Sequence, residues 1–343
     1  MTILDNLNID HRVSTAVAPE DIGKFGGFTS LPVRIGKHDE IANAACAQVL
    51  KDWAAIIGDG RDQNCEGAGL VNRTGNGCTV AFCETLPERI EVLTYWTGLM
   101  ALWDDSAEST NAIEAREKWD LPIHKFFAAV MEDPDFKPKT PIQAIMLPWV
   151  QRLLSTDPKL GLVVLDVQRQ YYEQVDTKEV DEFKTVEEYL PYRKADCDAL
   201  LWLTLLRYGL DLNLTDAELA DSDHIASTGM GHMALVNDYW SWPKEKATAQ
   251  QGGRAMNAVN VIMREHGLSE PTAHEHLKTL IADMEQRLVS EVNRWLAAGE
   301  RSEEARRYVD AIVLCAGGNM YWASSCPRYN AHRAAEIALA LGA

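Results

Sequence analysis

Asn237, Ser241 and Glu245 follow one another at intervals of four. On a helix of about 3.6 residues per turn that spacing puts them on one face. An amide oxygen, a hydroxyl and a carboxylate in one row form an all-oxygen donor set, the kind that holds a hard cation such as Mg²⁺. Lys244 stands beside Glu245 in Asn237-Asp-Tyr-Trp-Ser-Trp-Pro-Lys-Glu245 and adds positive charge for an anion that bridges to such a metal. The same row could be a solvated helix face, and two other segments weigh against that plainer reading.

The first is Trp103-Asp-Asp-Ser-Ala-Glu108, in which Asp104 and Glu108 are again four apart with Asp105 adjacent. It closes the apolar, helix-like stretch from Ile90 to Leu102. Carboxylates at the end of an apolar helix are costly to desolvate without a partner, and a metal ion suits several together. The second is Cys326-Pro-Arg-Tyr-Asn330. Arg328 supplies a forked cation and Tyr329 a phenolic donor, both matched to phosphate oxygens.

These residues resemble those of class I terpene cyclases, and most of all the N-terminal cyclase domain of fungal bifunctional (cyclase plus prenyltransferase) di- and sesterterpene synthases of the fusicoccadiene synthase type. The resemblance covers Leu31 to Asn330. The family's aspartate-rich motif matches Asp104, Asp105 and Glu108; its second metal motif matches Asn237, Ser241 and Glu245; its C-terminal pair matches Arg328 and Tyr329. Arg193, 44 residues before Asn237, takes the place of the family's diphosphate-sensing arginine. Asp196 then fits the linker position and Cys197 the effector position. The resemblance implies a Mg²⁺-dependent lyase with three Mg²⁺ ions as its metal complement, and a polyprenyl diphosphate as substrate. It further implies diphosphate binding by Arg193, Asn237, Ser241, Lys244, Arg328 and Tyr329, with a fused or separate prenyltransferase domain as a partner. A homo-oligomer is a further expectation left open.

Bulk properties bound the alternatives. A chain of 343 residues and net charge −18 is large enough for an extensive core and is poorly suited to nucleic acid or an anionic membrane. Such an acidic protein needs bound cations to hold a diphosphate. Seven cysteines show no C-x-x-C pair, and the N-terminus lacks a basic start and apolar run, which points to reduced thiols in a cytoplasmic protein. Cys65 is among the seven. No apolar run reaches the ~18 residues of a membrane span. His274-Glu-His276 puts its histidines two apart, on different helical faces, so it is no metalloprotease pair. Gly229-Met-Gly231 follows no strand and is no dinucleotide loop.

The elements that must position these groups read as helices, with apolar residues recurring at three and four over 39–57, 87–109, 141–154, 159–176, 185–209, 222–242, 270–297 and 302–325. Period-two alternation is scarce, so no sheet is expected. Breaks are expected at Gly58–Gly60, Gly67–Gly77, Pro134–Pro141 and Gln250–Gly253, the last able to close over a diphosphate. The expectation is an all-α class I terpenoid synthase bundle with a central cavity: an irregular segment over 1–30 and a single cyclase domain over 31–343. Trp96, Met100, Gly229, Met233, Asn319 and Trp322 are expected along the cavity, Trp322 facing a carbocation. The reaction expected is ionisation of geranylgeranyl or geranylfarnesyl diphosphate followed by cyclisation. The rival readings are a chain-elongating prenyl diphosphate synthase, which carries two Asp-Asp-x-x-Asp motifs, and a non-catalytic helical interaction protein.

Overall fold

The structure, a computed structural model, describes residues 7, 9–58, 69–133, 135–175 and 177–342. Cys65, Pro134 and the parts of the expected breaks at 59–60 and 67–68 lie outside them. The main helices are α1 (Asp39–Ile56), α2 (Pro87–Glu108), α3 (Leu121–Glu132), α4 (Pro141–Thr156), α5 (Pro158–Gln174), α6 (Val186–Asp196), α7 (Ala199–Leu210), α8 (Asp216–Gln250), α9 (Ala258–His266), α10 (Glu270–Ala297) and α11 (Glu303–Ala323). One-turn helices, among them Gly77–Ala81 and Pro327–Asn330, fill several connections.

The ends follow from local chemistry. Proline opens α2, α4 and α5 in the first turn, where its missing N–H would have had no partner. Thr215 caps α8 through a reciprocal box with Glu218. Within α8, Pro243 cannot donate to the carbonyl four residues back, that of Tyr239. The His274 ring of α10 takes that carbonyl at 2.8 Å, so the histidine that looked idle in sequence satisfies a helix defect.

Three expectations change. The stretch expected as one helix over 185–209 is two, because the backbone turns left-handed at Asp198, with φ 53°, a conformation Asp tolerates better than most residues. Two short helical elements, α3 and α9, were not expected. Finally, a two-stranded antiparallel ribbon joins Ser14–Ala16 to Arg34–Gly36, where no sheet was foreseen. It is too short to show alternation, and tertiary contacts hold the segment around it: His11 meets buried Asp310 at 2.9 Å, and Thr29 and Ser30 donate to Glu285.

Helix α8 packs against α10 and α11, α1 against α2, and α3 against α5. Gly229 makes the α8–α11 approach possible: a Cβ there would lie 2.5 Å from Ile312 Cγ2.

Candidate active site

The last turn of α2 carries Asp104, Asp105 and Glu108, whose ligand oxygens lie within 4.8 Å of one another. Two cationic side chains from other elements meet them. Lys244 of α8 places Nζ 2.8 Å from both Asp105 Oδ1 and Glu108 Oε2. Arg328 donates from Nη1 to Asp105 Oδ2 at 2.8 Å and from Nη2 to Asp104 Oδ2 at 3.1 Å. Burial alone would raise the Asp105 carboxyl, but Arg328 and Lys244 hold it well below its ordinary value. Burial, and after it the like charge of Glu108, push Asp104 up. With 47% of that side chain exposed, water moderates the rise.

Across the mouth, the row on α8 forms as its spacing requires. Ser241 donates to Glu245 Oε1 at 2.5 Å. Asn237 accepts from Arg193 Nη2 at 2.9 Å and donates to the Tyr329 hydroxyl at 2.8 Å. Burial raises the Glu245 carboxyl, and Glu108 across the mouth adds to it, so the two motifs feel each other's charge. Arg193 is held on three sides, with Nη1 2.6 Å from Asp196 Oδ2 and Nε 2.9 Å from Asp238 Oδ1.

Sequence reasoning missed two residues here. Asp238 is fully buried and takes Arg193, the Tyr189 hydroxyl at 2.6 Å and the Ala258 amide at 2.8 Å. Asn257 caps α9 and donates to Glu245 Oε2 at 3.1 Å and to the Asp238 carbonyl at 2.9 Å. Asp238 sat inside the second motif and was legible as an acid beside Asn237; Asn257 had no local signal. The expected loop after α8 touches the first motif, since Arg254 N donates to the Glu108 carbonyl at 3.3 Å.

Both motifs open on one cavity of about 1350 Å³, counting its open mouth. Its wall includes Asp104, Glu108, Arg193, Asp196, Cys197, Asn237, Ser241, Lys244, Glu245, Arg328 and Tyr329 at the polar end, and Met100, Met233, Asn319, Trp202 and Trp322. Trp322 donates from Nε1 to the Leu70 carbonyl at 3.2 Å and meets the Tyr329 ring edge-on at 5.7 Å. Gly77 gives the indole its seat, since a Cβ there would lie 3.0 Å from it. Cys197 closes α6 at the helix break, its thiol pushed far up by burial.

Two expected cavity residues lie elsewhere. Trp96 stacks on Trp149 at 4.0 Å, and Gly229 faces Ile312 and Leu288. Each stands eight residues before its motif. At about 100° per residue, eight steps rotate a side chain about 80° off the starting face, while four steps cost only about 40°. Met100 and Met233, four residues back, do line the cavity.

The donors at the mouth are carboxylates, an amide oxygen and a hydroxyl, and the first group already attracts two cationic side chains. That chemistry fits a hard divalent metal. Asp104, Asp105 and Glu108 would hold it on one wall, and Asn237, Ser241 and Glu245 on the other.

Comparison with known proteins agrees with this geometry. The family described as terpene synthase family 2, C-terminal metal binding, matches residues 95–287. A bifunctional terpene synthase, FUP1, of Fusarium proliferatum is 32% identical over 93% of this chain and 43% of its own length. The sesterterpene synthase btcA of Neocamarosporium betae is 28% identical over 96% of this chain and 46% of its own. The chain thus spans less than half the length of these curated relatives. Among solved structures, germacradien-4-ol synthase from Streptomyces citricolor superposes with a TM-score of 0.71 at 12% identity, covering 87% of this chain and 97% of that one. Aristolochene synthase from Penicillium roqueforti gives 0.64 at 19% identity, covering 83% and 94%. At such identities these two speak for the fold, which is that of class I terpene synthases.

Proposed function

The chain belongs to the terpene synthase family with C-terminal metal binding, and on that premise we propose that it ionises a linear polyprenyl diphosphate and cyclises the cation to a polycyclic terpene, releasing diphosphate. The observation that carries this reading is convergence. Two oxygen-rich motifs, Arg193, Lys244, Arg328 and Tyr329 meet on the wall of one cavity whose remaining lining is largely apolar and aromatic.

The difficult step is breaking a C–O bond to leave diphosphate and an allylic cation. Bound Mg²⁺, three ions in our proposal, would neutralise charge on the departing diphosphate as a Lewis acid. The chain's own donors act on the same charge. Arg328 and Lys244 are oriented in advance by the carboxylates beneath them, and Arg193 by Asp196 and Asp238, so they need little rearrangement to face an anion. Tyr329, hydrogen-bonded to Asn237, adds a neutral donor. Below the mouth, Met100, Leu205, Met233 and Trp322 keep water from the cation, and indole faces stabilise it.

The Asn/Ser/Glu row with an Arg–Tyr pair supports cyclisation over chain elongation. We favour geranylgeranyl diphosphate. The sesterterpene synthases among the relatives support geranylfarnesyl diphosphate as a second reading, and the bifunctional relatives support a prenyltransferase partner. Among the described residues no helix is long and apolar enough to cross a membrane.

The test is incubation with each diphosphate, with Mg²⁺ or with a chelator, followed by gas chromatography of the extract. Mg²⁺-dependent cyclic products from one of them are expected. Acyclic diphosphates lengthened from added isopentenyl diphosphate, with no hydrocarbon, would replace this reading by chain elongation.

A further inference from the structure

The break between α6 and α7 puts one carboxyl on the cavity wall that neither motif uses. Asp198 lines the cavity, is 3% exposed and adopts the left-handed conformation. One of its oxygens accepts the Leu201 amide at 3.3 Å, capping α7. The other accepts Gln168 Nε2 of α5 at 2.5 Å. Gln168 is itself fully buried, and its Oε1 has no hydrogen-bond partner among the described residues.

The other carboxyls on this wall are committed. Asp104 and Glu108 face Arg328 and Lys244, Asp196 holds Arg193, and Glu245 is tied to Ser241 and Asn257. Only Asp198 and Glu245 among them have neutral partners alone, and Glu245 belongs to the second motif. Burial pushes its carboxyl up to about 8, and no charged neighbour contributes to the shift. A helix cap needs no such burial, because an exposed Asp caps equally well and keeps its charge solvated.

We propose that Asp198 is the base that ends the carbocation cascade, an inference that rests on the functional reading above. A C–H bond next to the cationic carbon breaks, its electron pair becomes the C=C bond of the product, and the proton forms an O–H bond with the ionised carboxyl. The proton then exchanges with solvent once product has left, which restores the ionised fraction of the carboxyl. A carboxylate with no cation of its own is the stronger base for having none, and the field of the substrate cation favours its ionised form. Gln168 holds one of its oxygens in place.

Asp198→Asn decides between this role and a merely structural one. Asn tolerates the left-handed backbone and caps helices as well as Asp, so the fold and the break are kept while the base is lost. Products of the parent and Asp198→Asn chains would be compared by gas chromatography, with melting temperatures on the same preparations. The expected result is substrate consumption within about threefold of the parent, the same ring skeleton, and a shift of at least fivefold from the parental alkene to double-bond isomers or alcohols. Gln168→Met, which removes the orienting donor, should move the ratio in the same direction, and serves if Asp198→Asn fails to fold. An unchanged profile, or new ring skeletons in place of new terminations, overturns the proposal. If the parent consumes neither diphosphate, the functional reading itself falls, and the base role falls with it.

Discussion

At the scale of single residues, the cost of a substitution depends on what it leaves behind. Asp104→Asn and Glu245→Gln each remove one charged oxygen and keep the shape. Both should fold and lose turnover by at least about a hundredfold; turnover near the parental level in either would strike that residue from the metal set. The two arginines should differ. Arg193→Ala strips the cation from fully buried Asp238, and leaving a buried charge uncompensated costs about 3–5 kcal/mol. Arg328→Ala leaves Asp104 with nearly half its side chain in water and should cost far less. Denaturant titration of both would show this, with diphosphate affinity weakened in each. The two motif rows were legible because a spacing of four fixes a helical face whatever the surroundings. The Asp238 network was not, since burial and the pairing of residues 45 apart leave no mark on spacing.

At the scale of elements, two positions separate packing from chemistry. Gly229 lies where α8 crosses α11, so Gly229→Ala should cost about 1–3 kcal/mol by overpacking, seen as a lower melting temperature with the product ratio unchanged. Trp322→Phe should do the reverse, altering the product mixture while substrate is still consumed, because its face belongs to the cavity wall and Phe is a weaker cation partner. A lowered melting temperature with an untouched profile would return Trp322 to the core. Helix periodicity found most of the long helices within a few residues. It could not show the break at Asp198, because Leu201, Leu205 and Tyr208 resume an apolar spacing on the far side. Nor could it carry a face over two full turns, as Trp96 and Gly229 demonstrate.

At the scale of the whole molecule, an acidic chain of net charge −18 gathers its cationic donors where two acidic motifs face each other. The pH dependence of its stability should carry the mark of Asp198. Its folded value of about 8 lies above the ordinary 3.8, so the folded state binds the extra proton between those limits. This contribution is fully present below the lower value and is lost as pH rises through the upper one. Asp198→Asn should therefore gain melting temperature on the parent steadily from pH 5 to about pH 8 and level off above it; a constant difference would refute it. In the proposed reaction both motifs serve a single diphosphate. Calorimetry of inorganic diphosphate binding tests this most directly, on the parent chain, Asp104→Asn, Glu245→Gln and the double variant, each with Mg²⁺ or a chelator. One site predicts binding that needs Mg²⁺, is abolished by either single substitution and is no worse in the double variant. Two independent partial losses that add in the double variant would mean two separate sites, and would contradict it.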